Sequence, residues 1–482
     1  MTAVTETALG EHRVLLGGHQ METGETYEVR SPYDDAPVAL VHRAGPTEVE
    51  RAIAGAVEAF ATTRRLPSWQ REQVLERISS AIAQRREELA RTIALEAGKP
   101  IRTARIEVDR ASYTFAVAAE ESKRIYGEIV PLDWLAGNEG RQALIRRVPL
   151  GPIAGITPFN FPLNLVAHKV APALAAGNPI LLRPATQTPC SSLALGQIVL
   201  EAGWPPDAIA VLPCSTETAR PLVEDDRIRL LTFTGSPAVG WDLKSRAGRK
   251  RVTLELGGNA AVIVNHDADV DYAAERVAWG GFGYAGQTCI SVQRVYVHED
   301  VYDAFARQLV GRVEALAVGD PLNEATDVGP VIDRSNAERI EDWLDEAKAA
   351  GATVLTGGER EGNLWRPTVV EDAPEHVRVS CEEVFAPFVG LHRFADVQEA
   401  IDAAGRSEFG LQAGIFTNDS GVVEDAFDRI EVGGLMVNDV SSFRIDHMPY
   451  GGVKSSGLGR EGLRYAIEEM TEPKLLTTNR RR

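Results

Sequence analysis

The sequence predicts an α/β protein built from two parallel-sheet units in series. Three observations carry that expectation. The chain has 482 residues, more than one hydrophobic core can serve. From about residue 150 short apolar runs alternate with segments of helical length. A second series of such runs begins near residue 260.

Taken in order, the first 130 residues read as mostly helical after a short β segment. Thr47 and Glu50 have the spacing of a capping box, and Val49, Ile53, Val57 and Phe60 then fall on one helical face. Val74, Ile78 and Ile82 mark another helix. The strand-like runs GPIAGIT, PILLRP, AIAVLP, IRLLTFTG and RVTLELGG follow, with 163–176 and 189–203 of helical length between them. The second series holds AAVIV, RVYVH, TVLTGG and GIFTN. The tail TEPKLLTTNRRR carries a β-like piece too exposed to stand alone, which is expected to pair with a sheet of another subunit.

A net charge of −18 argues against nucleic acid and anionic membrane as partners, without defining a substrate. No apolar run has the length of a membrane span, and MTAVTETALGEHR lacks the charged-then-apolar pattern of a secretory leader. Cys190, Cys214, Cys289 and Cys381 are scattered, with no metal or CxxC spacing, so a reducing cytoplasm and no metal site are expected.

Several stretches carry chemistry. FTGSPAVG, 233–240, follows a strand and opens a helix. Gly235 would allow a tight turn and Ser236 would cap the helix, whose free N–H groups attract phosphate. The stretch is not GxGxxG, and simple strand-turn-helix packing explains it equally well. In LLRPATQTP, Arg183 and Thr186 stand at a strand end, facing a ligand crevice or forming a solvated turn. Glu255 lies in the apolar run RVTLELGGN before Gly257 and Gly258, where a carboxylate is costly unless paired or used. Asn160 sits between Phe159 and Phe161, flanked by Pro158 and Pro162. Its amide could serve a developing oxyanion or a loop carbonyl. EEVFAPF offers Glu383 and Phe385, or a surface loop with one buried ring. GYAGQTCISVQRV places Cys289 after two glycines, with Ile290, Val292 and Val295 promising burial beyond it. The thiol is inert filler or a nucleophile.

Together TPFNFPL, FTGSPAVG, LELGG, GQTC, EEVFAPF and PYGGVKSSGLGREG resemble, in order, the NAD(P)-dependent aldehyde dehydrogenase superfamily over nearly the whole chain. The 34-residue step from Glu255 to Cys289 also fits. NDVSSFRIDHMPYGG resembles the lactaldehyde, phosphonoacetaldehyde and non-phosphorylating glyceraldehyde-phosphate dehydrogenase branch. The resemblance implies a Rossmann-like cofactor domain (1–126 and 150–257), an α/β catalytic domain (258–454) and a small β oligomerisation arm (127–149 and 467–482). It implies Cys289 as nucleophile, Glu255 as general base and Asn160 as oxyanion donor, with Lys169 near the network. The cofactor is expected along Ile156, Thr157, Pro158, Phe159, Arg183, Ala185, Thr186, Gly235, Ser236, Val239, Leu256 and Gly257, with Glu383 on the nicotinamide ribose and Phe385 beside the ring.

That chemistry is coherent. A thiolate adds to the aldehyde, the adduct gives up a hydride, and the thioester needs an activated water. A base at Glu255 favours release of a free acid over transfer to coenzyme A. A catalytically silent structural or binding member would be expected to lose the thiol. Where the family commonly has Lys and, three residues later, Glu, this chain has Arg183 and Thr186. That exchange removes a carboxylate that would repel a 2′-phosphate and supplies a guanidinium, so the expected cofactor is NADP or NAD, with acceptance of NADP favoured. VLPCSTETA replaces a glycine-rich turn. Arg110, Arg444 and His447 are basic candidates for the substrate mouth beside Phe161 and Thr288, though loop-holding hydrogen bonds or a helix-surface salt bridge would also account for them. Thr288 stands where phosphate-handling relatives often carry Arg, which weighs against a phosphorylated substrate. The first expectation is a short hydroxy-aldehyde such as lactaldehyde or glycolaldehyde. Succinate semialdehyde and aromatic aldehydes are the alternatives, and a homodimer or homotetramer is the expected assembly.

Overall fold

In the computed structural model, residues 7–480 are described. Residues 1–6 of the expected cofactor domain and 481–482 of the expected arm lie outside the described residues.

The apolar runs after residue 150 become five parallel strands. Their spatial order is Arg251–Glu255, Leu230–Thr234, Ile153–Ile156, Ile180–Arg183, Ile209–Val211. Most of their residues are buried, as expected for strands covered by helices on both faces. The chain starts at Ile153–Ile156, winds two strands to one side, then returns to place two on the other. This reversal opens a crevice at the carboxyl ends of Ile153–Ile156 and Leu230–Thr234, the place where such sheets bind ligands. Short antiparallel strands finish both edges.

The second sheet has six parallel strands in the order Thr368–Glu371, Phe388–Phe394, Val292–His298, Ala260–Val264, Gln412–Phe416, Gly434–Val437, with Thr353–Thr356 antiparallel at one edge. Only Leu256, Gly257, Gly258 and Asn259 separate the last strand of one series from the first strand of the next. This link brings the two sheets together around the site.

Two expectations need correction. The capping box of helix Pro46–Thr63 is Gly45 with Glu48, whose Oε2 accepts from the Gly45 N–H at 2.8 Å. Thr47 lies within the first turn and Glu50 just beyond it, because Pro46 is preorganised for the first helical position and starts the helix earlier. On that helix Val49 and Ile53 are buried, but Val57 is exposed. The tail strand Thr471–Asn479 pairs antiparallel with Arg141–Pro149 of its own chain, which also carries Glu128–Pro131. The other edge of Thr471–Asn479 pairs with no strand among the described residues. No described helix is long and apolar enough to cross a membrane.

Candidate active site

Cys289 follows a strained turn. After helix Val270–Phe282, Tyr284, Ala285 and Gly286 all take positive φ, at 50°, 53° and 66°. The two non-glycine residues each cost about 1–2 kcal/mol. Tertiary bonds hold the turn: Tyr284 donates its hydroxyl to the Ala97 carbonyl at 2.9 Å, and Gln287 Oε1 accepts from the Ile332 N–H at 2.8 Å. Beyond the thiol, Ser441 and Ser442 both donate to the Ile290 carbonyl at 2.9 Å. The sulfur packs with Ile290, Leu411 and Tyr450, and lies 3.0 Å from the Tyr450 hydroxyl. Burial pushes the thiol up to about 12; Tyr450 and Arg444 act against that, while Glu383 and Glu255 add to it.

Asn160 is buried, and its Nδ2 donates at 2.9 Å to the carbonyl of Gln287, two residues before the thiol. Glu255 ends its strand in the same cluster, and its buried Oε2 has no hydrogen-bond partner among the described residues. Burial raises this carboxyl well above the ordinary carboxylate range, Glu461 adds to the rise, and Arg444 and Lys169 only partly oppose it. Lys169 donates to the Thr232 and Thr234 hydroxyls at 3.0 and 2.8 Å and reaches Glu461 at 3.4 Å. Glu461 also accepts from Arg444 at 3.0 Å. Burial alone would raise Glu461, but these two cations hold it below its ordinary value.

At the crevice, Glu383 Oε1 accepts from the Gly258 N–H at 2.9 Å, and burial lifts its carboxyl to about 7. A Cβ on Gly257 would stand 2.5 Å from Glu383 Oε2, so only glycine permits this approach. Phe385, at φ 52°, meets Phe159 edge-on with ring centroids 5.8 Å apart. Ile156, Thr157 and Leu256 are buried, Pro158 is half-buried, and Val239 is exposed on the first turn of helix Pro237–Arg246. Ser236 is the N-cap of that helix, but its side chain makes no capping bond. Gly235 does not take the left-handed backbone expected of a tight turn. It is needed because a Cβ there would stand 2.5 Å from the Phe233 ring. Arg183 donates to the Thr216 hydroxyl at 3.3 Å while its buried Nε has no partner among the described residues. Ala185 is half-buried and Thr186 exposed.

The basic candidates separate. Arg444 is a buried side chain with its guanidinium carbon 3.6 Å from the Tyr450 ring centroid. Arg110 grips Asp446 with two bonds of 3.1 and 2.7 Å and lies 5.8 Å from the Phe161 ring. This pair is not on a helix surface, because Asp446 is buried and also takes the Asn164 amide at 3.1 Å and the His168 Nε2 at 2.8 Å. His447 is exposed and its Nδ1 lies 2.9 Å from the Tyr113 hydroxyl, the loop-holding alternative. Thr288 is half-buried beside the thiol. The sequence reading missed Tyr450, Glu461, Asp446 and His168. A tyrosine and a carboxylate inside the glycine-rich PYGGVKSSGLGREG were the available signal for the first two.

A family model described as the aldehyde dehydrogenase family matches residues 19–476. The 3-sulfolactaldehyde dehydrogenase of Priestia aryabhattai is 44% identical over 480 residues, 99% of this chain and 100% of that protein. Aldehyde dehydrogenase 21 from Physcomitrella patens, solved in complex with the reaction product succinate, superposes with a TM-score of 0.96 at 44% identity over 99% of each chain. The glyceraldehyde-3-phosphate dehydrogenase GapN of Methanocaldococcus jannaschii, complexed with NADP, does so at 0.91 and 38% identity, over 95% of this chain and 100% of that one.

Proposed function

The chain belongs to the aldehyde dehydrogenase family, and from that premise we propose that it oxidises a short acyclic aldehyde bearing a carboxylate or sulfonate, using NADP in preference to NAD. In this reading Cys289 Sγ attacks the carbonyl carbon. The resulting oxyanion takes the Asn160 amide, released from the Gln287 carbonyl, and the Cys289 backbone N–H. Bound NAD(P) supplies the hydride acceptor. The thioester left on Sγ is hydrolysed by a water that Glu255 deprotonates. A carboxyl held high by burial is the stronger base once ionised.

The crevice residues fit a dinucleotide. Glu383 keeps one carboxylate oxygen free for a ribose hydroxyl while the other takes Gly258, and Gly257 leaves no obstruction beside it. The unpartnered Nε of Arg183 and the neutral Thr186 suit a 2′-phosphate.

One observation carries the substrate class. In the site three cations, Lys169, Arg110 and Arg444, pair with two carboxylates held below their ordinary range, Asp446 and Glu461, while burial raises the Glu255 carboxyl. The surplus positive charge matches a monoanionic aldehyde. The anionic substrate and product named for the sulfolactaldehyde and succinate relatives support the same class. Sulfolactaldehyde also retains the 2-hydroxyl of the lactaldehyde-like substrate first expected. The same reading takes 1–126 and 150–257 as the cofactor domain, 258–454 as the catalytic domain, and 127–149 and 467–482 as an arm joining a homodimer or homotetramer in the cytoplasm.

The test is kcat/KM, followed by NAD(P)H absorbance with each cofactor, for succinate semialdehyde, sulfolactaldehyde, lactaldehyde, propanal and benzaldehyde. The anionic pair should lead. Equal rates for propanal and succinate semialdehyde would refute the charge argument, and a strong NAD preference would reverse the cofactor assignment.

A further inference from the structure

Among the described residues no imidazole bonds the Cys289 sulfur: the His168 ring is engaged with Asp446 and Arg444. The sulfur's hydrogen-bond partner among the described residues is Tyr450. The tyrosine is buried, its hydroxyl contacts the sulfur, and its ring is covered by the Arg444 guanidinium.

We infer that Tyr450 is a catalytic residue whose hydroxyl donates to the Cys289 thiolate, with the Arg444 charge behind the ring strengthening the phenol as a donor. This rests on Cys289 being the nucleophile.

Burial holds the Tyr450 phenol well above its ordinary value, so it keeps its proton and acts only as a donor. Four groups face the thiol. Tyr450 and Arg444 favour the thiolate; Glu383 and Glu255 oppose it, on top of the cost of burial. A hydroxyl aimed at the sulfur is the direct way to offset that cost, since hydrogen bonds to charged groups are the strong ones. On ionisation the thiol proton goes to bulk water and Tyr450 keeps its own. As the thiolate adds to an aldehyde, a sulfur lone pair forms the S–C bond and the carbonyl π pair moves to oxygen. The negative charge leaves the sulfur, and the Tyr450 bond weakens. Its benefit therefore falls on thiolate formation.

The experiment is alkylation of Cys289 by iodoacetamide, in which the thiolate displaces iodide, followed by peptide mapping from neutral to alkaline pH. Tyr450→Phe keeps the ring on Arg444, Ile290 and Leu411 and removes only the hydroxyl. It should slow alkylation of Cys289 about tenfold or more at each pH below the ionisation, with Tm unchanged. Rates and pH profiles equal to wild type would overturn the inference. So would faster alkylation, which would make the hydroxyl a shield. Cys289→Ala separates the two claims: if that variant still oxidises aldehydes, the nucleophile assignment fails, whereas the effect of Tyr450→Phe on the thiol is read independently of turnover.

Discussion

The thiol side of the candidate site and its arginine side are both buried, yet burial has opposite outcomes there. On the thiol side Cys289, Glu255 and Glu383 have few or no charged partners at bonding distance, and burial drives each toward its neutral form. On the arginine side Asp446 has Arg110, Asn164 and His168, and Glu461 has Arg444 and Lys169. The same low dielectric that penalises a lone charge strengthens these contacts, so both carboxylates stay ionised. Partners, not depth, decide the charge state. The neutral side provides groups that can exchange a proton during a reaction, and the charged side provides a fixed field.

The comparison is broken most severely at Glu255. Glu255→Gln should lower kcat by roughly 10²–10⁴ while a single-turnover burst of NAD(P)H persists, because in the proposed mechanism only thioester hydrolysis loses its base. Loss of the burst would shift the role of Glu255 to the first half-reaction. Its stability should not fall, since Oε2 has no partner to lose.

Glu461→Gln makes the opposite cut. It leaves Arg444 and Lys169 without their common carboxylate and should cost about 3–5 kcal/mol in urea unfolding. Glu461 titrates lower in the fold than in the unfolded chain. Its contribution is therefore full above the ordinary carboxylate range and is lost as the pH falls through its depressed range. The acid limb of the pH–stability curve should flatten in Glu461→Gln, and an unchanged limb would show that another group sets it.

The smallest effect belongs to Glu383. With the Glu383 carboxyl near 7, the proposed ribose acceptor is protonated below that pH, so the cofactor KM should rise as the solution is acidified through about 7. Glu383→Gln should abolish this dependence.

Legibility in the sequence followed distance along the chain. Glu255 stood out because a carboxylate in an apolar strand needs a local explanation, and Cys289 because its turn is glycine-rich. Ser236 was correctly placed at a helix start, but whether its side chain bonds the helix is a rotamer question that spacing does not answer. The capping box misled because two overlapping registers carry similar spacing, and Pro46 chose between them. The tail was correctly read as exposed, yet its partner strand lies more than three hundred residues earlier. Tyr450 reaches Cys289 across 161 residues, and Arg110 reaches Asp446 across 336. No periodicity reports such pairs.

The sequence by itself determined the layered α/β architecture, since apolar runs and helical spacing act over a few residues, and it determined which chemical groups were present. Tertiary structure alone decided which of those groups are charged. A proton's free energy depends on the dielectric and on partners within a few ångströms, and here those partners come from segments that meet only when the two sheets close on each other.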